Sequence, residues 1–90
     1  MNADKVREIL TIYRKKFEEL NVPKQQFPHN ELPKSDSDFL AHCHEMLDEM
    51  EVFIEDRKVE KVFRWLGFIQ GCLWKIGVYT VEEMKSHNRS

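Results

Sequence analysis

Two adjacent amphipathic segments, residues 36–55 and 58–76, constrain the fold of this 90-residue chain more than any other feature. Apolar side chains recur in both at spacings of three and four, which is typical of α-helices with one broad apolar arc. The arc of the first comprises Phe39, Leu40, Cys43, Met46, Leu47, Met50, Phe53 and Ile54. That of the second comprises Val62, Trp65, Leu66, Phe68, Ile69, Cys72, Leu73 and Ile76. Because only the short stretch "EDRK" joins the segments, we expect an antiparallel helical hairpin that ends at Gly77, a natural C-cap.

A third amphipathic segment, residues 3–21, supplies the remaining wall of the predicted core. Its apolar stripe consists of Val6, Ile9, Leu10, Tyr13, Phe17 and Leu20. Three prolines then predict an extended crossover over residues 22–34, because proline cannot donate a backbone hydrogen bond. Phe27 and Leu32 are its expected anchors.

A short fourth helix is predicted over residues 80–87, where Thr80 and Glu83 have the spacing of a capping box. The complete pattern predicts a single all-α domain. We expect a three-helix bundle built on the antiparallel hairpin, with the short helix at its C-terminal end.

Composition excludes several classes of function. The chain is 41% hydrophobic and 33% charged, as in ordinary globular proteins, and its net charge of −2 makes direct nucleic-acid binding unlikely. No apolar run approaches the roughly 18 residues of a membrane span. The N-terminus "MNADKVREIL" is charged and periodic, unlike a signal peptide. We therefore expect a cytoplasmic protein without membrane contact.

The second hairpin helix has an unusual second face, which we call the glycine face: Phe63, Gly67, Gln70, Gly71 and Trp74. The two glycines lie opposite the centre of the apolar arc, with the aromatic residues beside them and Gln70 at the edge. Small residues four apart allow another backbone to approach closely. Either the first helix or the crossover covers this face, or a second chain does.

The stretch "HCHEMLDEM", residues 42–50, is the most tempting candidate for chemistry. It begins like a zinc-protease helix, but Asp48 stands where the second histidine is needed. His42 and His44 point to nearly opposite sides of the helix, so they are expected to border the apolar arc, with His44 pairing with Asp48. We predict no metal, no cofactor, no catalytic residues and no enzymatic activity.

Cys43 and Cys72 lie at the same height of the predicted hairpin, because they are equally distant from its turn. Two cysteines are too few for a disulfide scaffold. We expect adjacent, reduced thiols, with a disulfide or a metal as the alternative.

The first hairpin helix is acidic: eight Asp and Glu residues and no Lys or Arg occur from Asp36 to Asp56. Glu45, Asp48 and Glu51 represent its acidic face. One interpretation is a solvated surface that is balanced by basic residues of the neighbouring helices. The other is a surface that docks onto a basic partner or imitates nucleic-acid phosphates.

The run "RWLGFIQGCLW", followed by "GVYTVEEMKSHNR", resembles small uncharacterised helical proteins of tailed bacteriophages and bacteria. The resemblance covers residues 42–89. The residues that carry it are Trp65, Gly67, Gln70, Gly71, Trp74, His87, Asn88 and Arg89. It implies no reaction, but a phage context favours small proteins that bind and redirect other machinery. We therefore expect a non-enzymatic interaction or accessory protein that self-associates as a homodimer, the alternative being an acidic regulator of a basic partner.

Overall fold

The computed structural model describes residues 2–89, which form four α-helices and no strand. The helices are α1 (Ala3–Glu19), α2 (Asp36–Glu55), α3 (Val59–Ile76) and α4 (Val81–Asn88). Helix α2 packs against both α3 and α1, and α4 packs against α1. The predicted all-α fold, a helical bundle with a short C-terminal helix, is confirmed.

Local sequence signals account for the helix ends. Asn2 and Ser35 cap α1 and α2 by accepting hydrogen bonds from the backbone N–H groups of the first turns. Thr80 and Glu83 form the predicted capping box at the start of α4. Gly77 ends α3 in the left-handed conformation, with φ of 87°. Helix α1 ends at Glu19, before the expected residue 21, because Asn21 also adopts a positive φ, 57°, and turns the chain.

The core lies where α1, α2 and α3 meet. Its fully buried larger side chains are Val6, Ile9, Leu10, Tyr13, Phe17, Cys43, Leu47, Met50, Ile69 and Leu73. Near the hairpin turn, the rings of Phe53 and Trp65 meet edge to face with centroids 4.7 Å apart, which places α2 and α3 side by side. The core therefore joins the hairpin to α1.

Three apolar side chains expected in or against the core are exposed instead. Leu20 lies beyond the end of α1, where the chain turns away. Phe68 is 51% exposed, because α3 enters the core through Val62, Leu66, Ile69 and Leu73, and Phe68 lies at the edge of that arc. Leu32 is 86% exposed and does not anchor the crossover.

The crossover is held to α2 mainly through its first half. The backbone N–H of Gln25 donates to the Ala41 carbonyl at 3.1 Å, and the carbonyl of Val22 lies 2.9 Å from His44 Nδ1. Phe27, the other expected anchor, is half-buried and meets the His42 ring edge to face.

Within residues 2–89, no helix has both the length and the apolar character that crossing a bilayer demands.

Candidate interaction surface on helix α3

The glycines of the glycine face are open to solvent. A Cβ atom added to Gly67 or Gly71 would meet no heavy atom of a neighbouring element within 4 Å. Neither α1 nor the crossover covers these positions, so within residues 2–89 the chain does not use the close approach that the two glycines permit.

Large apolar side chains surround the open glycines. Phe63 and Trp74 are 40% and 60% exposed on one side, and the half-exposed Phe68 lies on the other. A groove of about 460 Å³ runs beside the glycines along Phe68 and Cys72, and Phe39 contributes to its lining. Exposed aromatic rings with a flat strip between them are typical of protein interaction surfaces.

Cationic side chains accompany the aromatic ones. Arg64 and Lys75 are exposed and directly follow Phe63 and Trp74 in the sequence. Consecutive helical residues are about 100° apart around the axis, so each cation lies across the glycine strip from the preceding aromatic residue. The surface thus has an aromatic side, formed by Phe63 and Trp74, and a cationic side, formed by Arg64 and Lys75 with Phe68 beyond them.

Gln70 does not face the open surface with the glycines. Its Nε2 atom donates to the Tyr13 hydroxyl at 3.0 Å and to Asn88 Oδ1 at 2.8 Å, so its side chain connects α3 to α1 and α4. The Tyr13 hydroxyl also lies 3.2 Å from His87 Nδ1. We call Tyr13, Gln70, His87 and Asn88 the polar junction.

Burial affects both titratable groups of the polar junction. It raises the pKa of Tyr13 to about 12, despite the opposing hydrogen bond from Gln70. It also lowers the pKa of His87 below its usual value. Both groups are therefore neutral at pH 7. Helical periodicity placed Gln70 at the edge of the glycine face and did not indicate Tyr13, His87 or Asn88 as its partners.

Two of the three residues of the acidic face are paired within the chain. Arg14 lies 3.0 Å from Glu51 and 3.2 Å from Asp48, and Lys24 lies 2.9 Å from the other oxygen of Asp48. Burial would raise the pKa of Asp48, but hydrogen bonds from Lys24 and Arg14 outweigh it and lower that pKa. Glu45 makes no ion pair within residues 2–89, so it alone of the three keeps an uncompensated charge there.

The histidines of α2 have separate structural roles. His44 is buried, with its Nδ1 atom 2.9 Å from the Val22 carbonyl and its ring 5.0 Å from that of Phe17. The expected pairing of His44 with Asp48 is wrong, because the Asp48 carboxylate forms ion pairs with Arg14 and Lys24 instead. His42 Nδ1 is buried without a hydrogen-bond partner among residues 2–89. No group of three metal-ligating side chains occurs in that part of the chain.

The cysteines lie against each other across the hairpin. Cys43 is fully buried and Cys72 half-buried, and both are free thiols close enough to affect each other's pKa. This agrees with the equal distance of the two residues from the hairpin turn.

Comparisons with known proteins found no matching family model, no similar curated protein and no similar solved structure. The functional argument therefore depends on the surface of the chain itself.

Proposed function

We propose that this protein is a non-enzymatic helical interaction protein that forms a homodimer through the glycine face of α3. The observation that carries the proposal is the open space above Gly67 and Gly71 between exposed aromatic side chains. Two glycines inside a helix each cost roughly 1 kcal/mol relative to alanine. A partner helix that packs closely on this strip offsets that cost.

A second copy of the chain fits the chemistry of the surface. In a parallel two-fold pair, the aromatic side of one α3 meets the cationic side of the other at the same height. Lys75 then approaches Trp74 of the second copy, and Arg64 approaches its Phe63, which are cation–π pairs. An antiparallel pair would instead bring Arg64 against the second copy's Lys75. Arg64 and Lys75 therefore favour the parallel arrangement, whereas Glu60, which is exposed at the N-terminal end of the strip, would meet its own copy there.

The proposed setting is the cytoplasm, because two cysteines are too few for the disulfide scaffold that small secreted domains use. The alternative function, an acidic regulator of a basic partner, has less support. Asp48 and Glu51 already pair with cations of the same chain, and so offer less charge to a partner.

The test separates dimerisation from folding. A Cβ atom at Gly71 meets no heavy atom within 4 Å and the position is exposed, so the Gly71→Leu monomer should keep or gain stability because glycine is the poorer helix former. The same side chain should hold two α3 helices apart. Sedimentation equilibrium over a concentration series should show a wild-type dimer and a Gly71→Leu monomer, while urea unfolding shows an intact fold.

Lys15→Leu is the matched control, because Lys15 is exposed on α1 and has no ion-pair partner within residues 2–89. It adds the same side chain elsewhere and should leave the dimer unchanged. A wild-type chain that stays monomeric at every concentration would refute the proposal, as would a Gly71→Leu variant that dimerises like the wild type.

A further inference from the structure

The paired thiols differ in their access to solvent. Cys43 of α2 is 0% exposed and has its sulfur inside the core. Cys72 of α3 is half-buried and lines the groove beside Phe68 and Gly71. A small solute in the groove can therefore reach Cys72 but not Cys43.

The neighbouring thiols also differ in acidity. Interaction with the Cys43 thiol lowers the pKa of Cys72, although burial opposes that shift. Interaction with Cys72, together with burial, raises the pKa of Cys43. Cys72 therefore has the greater thiolate character of the two. Thiolate character and access are the two properties that make a cysteine reactive.

We propose that Cys43 and Cys72 form a peroxide-responsive dithiol, with Cys72 as the attacking thiol and Cys43 as the resolving one. The Cys72 thiolate attacks one oxygen of hydrogen peroxide, an S–O bond forms, the O–O bond breaks and hydroxide leaves. The transferred oxygen keeps its hydrogen, so the product is a Cys72 sulfenic acid, and the hydroxide takes up the proton that the Cys72 thiol had released and becomes water. The sulfur of Cys43 then attacks Cys72, the S–O bond breaks, and the departing hydroxide takes the Cys43 proton to leave as water. In sum, the two thiols and one peroxide give one disulfide and two waters.

The disulfide would bind α2 to α3 far from the hairpin turn. Closing the loop over residues 44–71 restricts the unfolded chain, so the oxidised protein should unfold at a higher temperature than the reduced protein. The chain would then have a redox-dependent stability without any bound metal or cofactor. The groove that leads to Cys72 also contains Gly67 and Gly71, so the proposed dimer would restrict this access, and the reaction is tested at concentrations where the chain is monomeric.

The experiment treats the reduced wild-type protein with one equivalent of hydrogen peroxide at neutral pH. Intact mass should fall by the mass of two hydrogens, both thiols should become inaccessible to alkylation after unfolding, and a reductant should reverse both changes. Non-reducing electrophoresis should show no covalent dimer.

Two variants assign the roles. Cys43→Ala should leave a Cys72 sulfenic acid that a dimedone probe traps, and the pH at which Cys72 is half-maximally alkylated should rise, because the neighbouring thiol that lowers its pKa has been removed. Cys72→Ser should leave Cys43 reduced, because the core shields it. Disulfides only between chains, no loss of mass in the wild type, or rapid oxidation of Cys43 in Cys72→Ser would overturn the proposal.

Discussion

At the scale of single residues, Tyr13 stands out because it places a polar hydroxyl group on a fully buried core side chain. It is fully buried, yet its hydroxyl needs partners, which Gln70 and His87 supply from two other helices. Because Gln70 donates to the hydroxyl oxygen, the hydroxyl hydrogen is free to point at His87 Nδ1. The polar junction therefore requires His87 to be neutral, with its proton on the other ring nitrogen.

Replacing Tyr13 with Phe should remove two hydrogen bonds and leave the partner groups buried without compensation. We expect the free energy of unfolding to fall by about 1–3 kcal/mol, as for a buried group left unsatisfied. Urea unfolding of the purified variant measures the loss.

Tyr79→Phe is the matched control, because the Tyr79 hydroxyl makes no hydrogen bond within residues 2–89 although its ring packs 5.6 Å from that of Tyr13. Its free energy of unfolding should change much less. Equal losses in the two variants would show that the polar junction does not stabilise the fold.

At the scale of helices, α4 depends on its contacts with the rest of the chain. A helix of eight residues is not stable alone in water. The capping box organises its first turn, Met84 buries its apolar side, and His87 and Asn88 attach its last turn to Tyr13 and Gln70. The polar junction is thus the main polar attachment of α4.

Acidification should loosen α4. Burial lowers the pKa of His87; Glu83 opposes this shift, while Lys5 of α1 adds to it. The other groups at the ring are the hydroxyl of Tyr13 and the ring of Tyr79, both neutral at pH 7. A histidine with a lowered folded pKa stabilises the docked state fully above its unfolded pKa of about 6.5. That stabilisation is lost as the pH falls through the folded pKa, because protonated Nδ1 can no longer accept from Tyr13.

Amide hydrogen exchange of α4, corrected for intrinsic rates, should therefore show weaker protection at pH 5 than at pH 7.5. His87→Phe keeps an aromatic ring but cannot titrate, so its α4 protection should lose this pH dependence. An unchanged pH dependence in that variant would assign the effect to another group.

At the scale of the whole molecule, one arginine joins α1 to the hairpin. Arg14 contacts Asp48 and Glu51 on successive turns of α2 and also donates to the Leu47 carbonyl at 3.3 Å. Lys24 extends the cluster to the crossover through Asp48. The cluster therefore fixes α1 and the crossover against α2 beside the apolar core.

Arg14→Met keeps the apolar stem and removes the charge, and should destabilise the fold by about 1 kcal/mol because the cluster is partly exposed and screened. The lowered pKa of Asp48 means that its contribution is complete above the usual aspartate pKa and is lost as the pH falls through the folded value. The stability difference between variant and wild type should thus narrow in acid. Thermal unfolding over a pH series measures it.

Arg7→Met is the matched control, because Arg7 reaches Glu51 only at 3.8 Å and its side chain is more exposed than that of Arg14. It should cost less stability at neutral pH. If Arg14→Met and Arg7→Met lower the free energy of unfolding equally, the change in net charge explains the effect, and the Arg14 cluster does not.

Local patterns were sufficient to predict the helices and the hairpin. Apolar spacing, the Thr80–Glu83 capping box and the Gly77 cap are properties of a few neighbouring residues, and the structure contains all of them. The open strip at Gly67 and Gly71 was also visible as a face, because helical periodicity gives the direction of every side chain around its axis.

The sequence by itself determined which faces each helix presents, and only the tertiary structure decided what covers them. Periodicity could not show that Phe68 and Leu32 are exposed. It also could not show that Asp48 pairs with Arg14 rather than with His44. Nor could it show that Gln70 donates hydrogen bonds to Tyr13 and Asn88. The physical reason is that these contacts join residues far apart in the chain. They depend on how the helices pack around one small core, and that packing leaves Gly67 and Gly71 of α3 uncovered within residues 2–89.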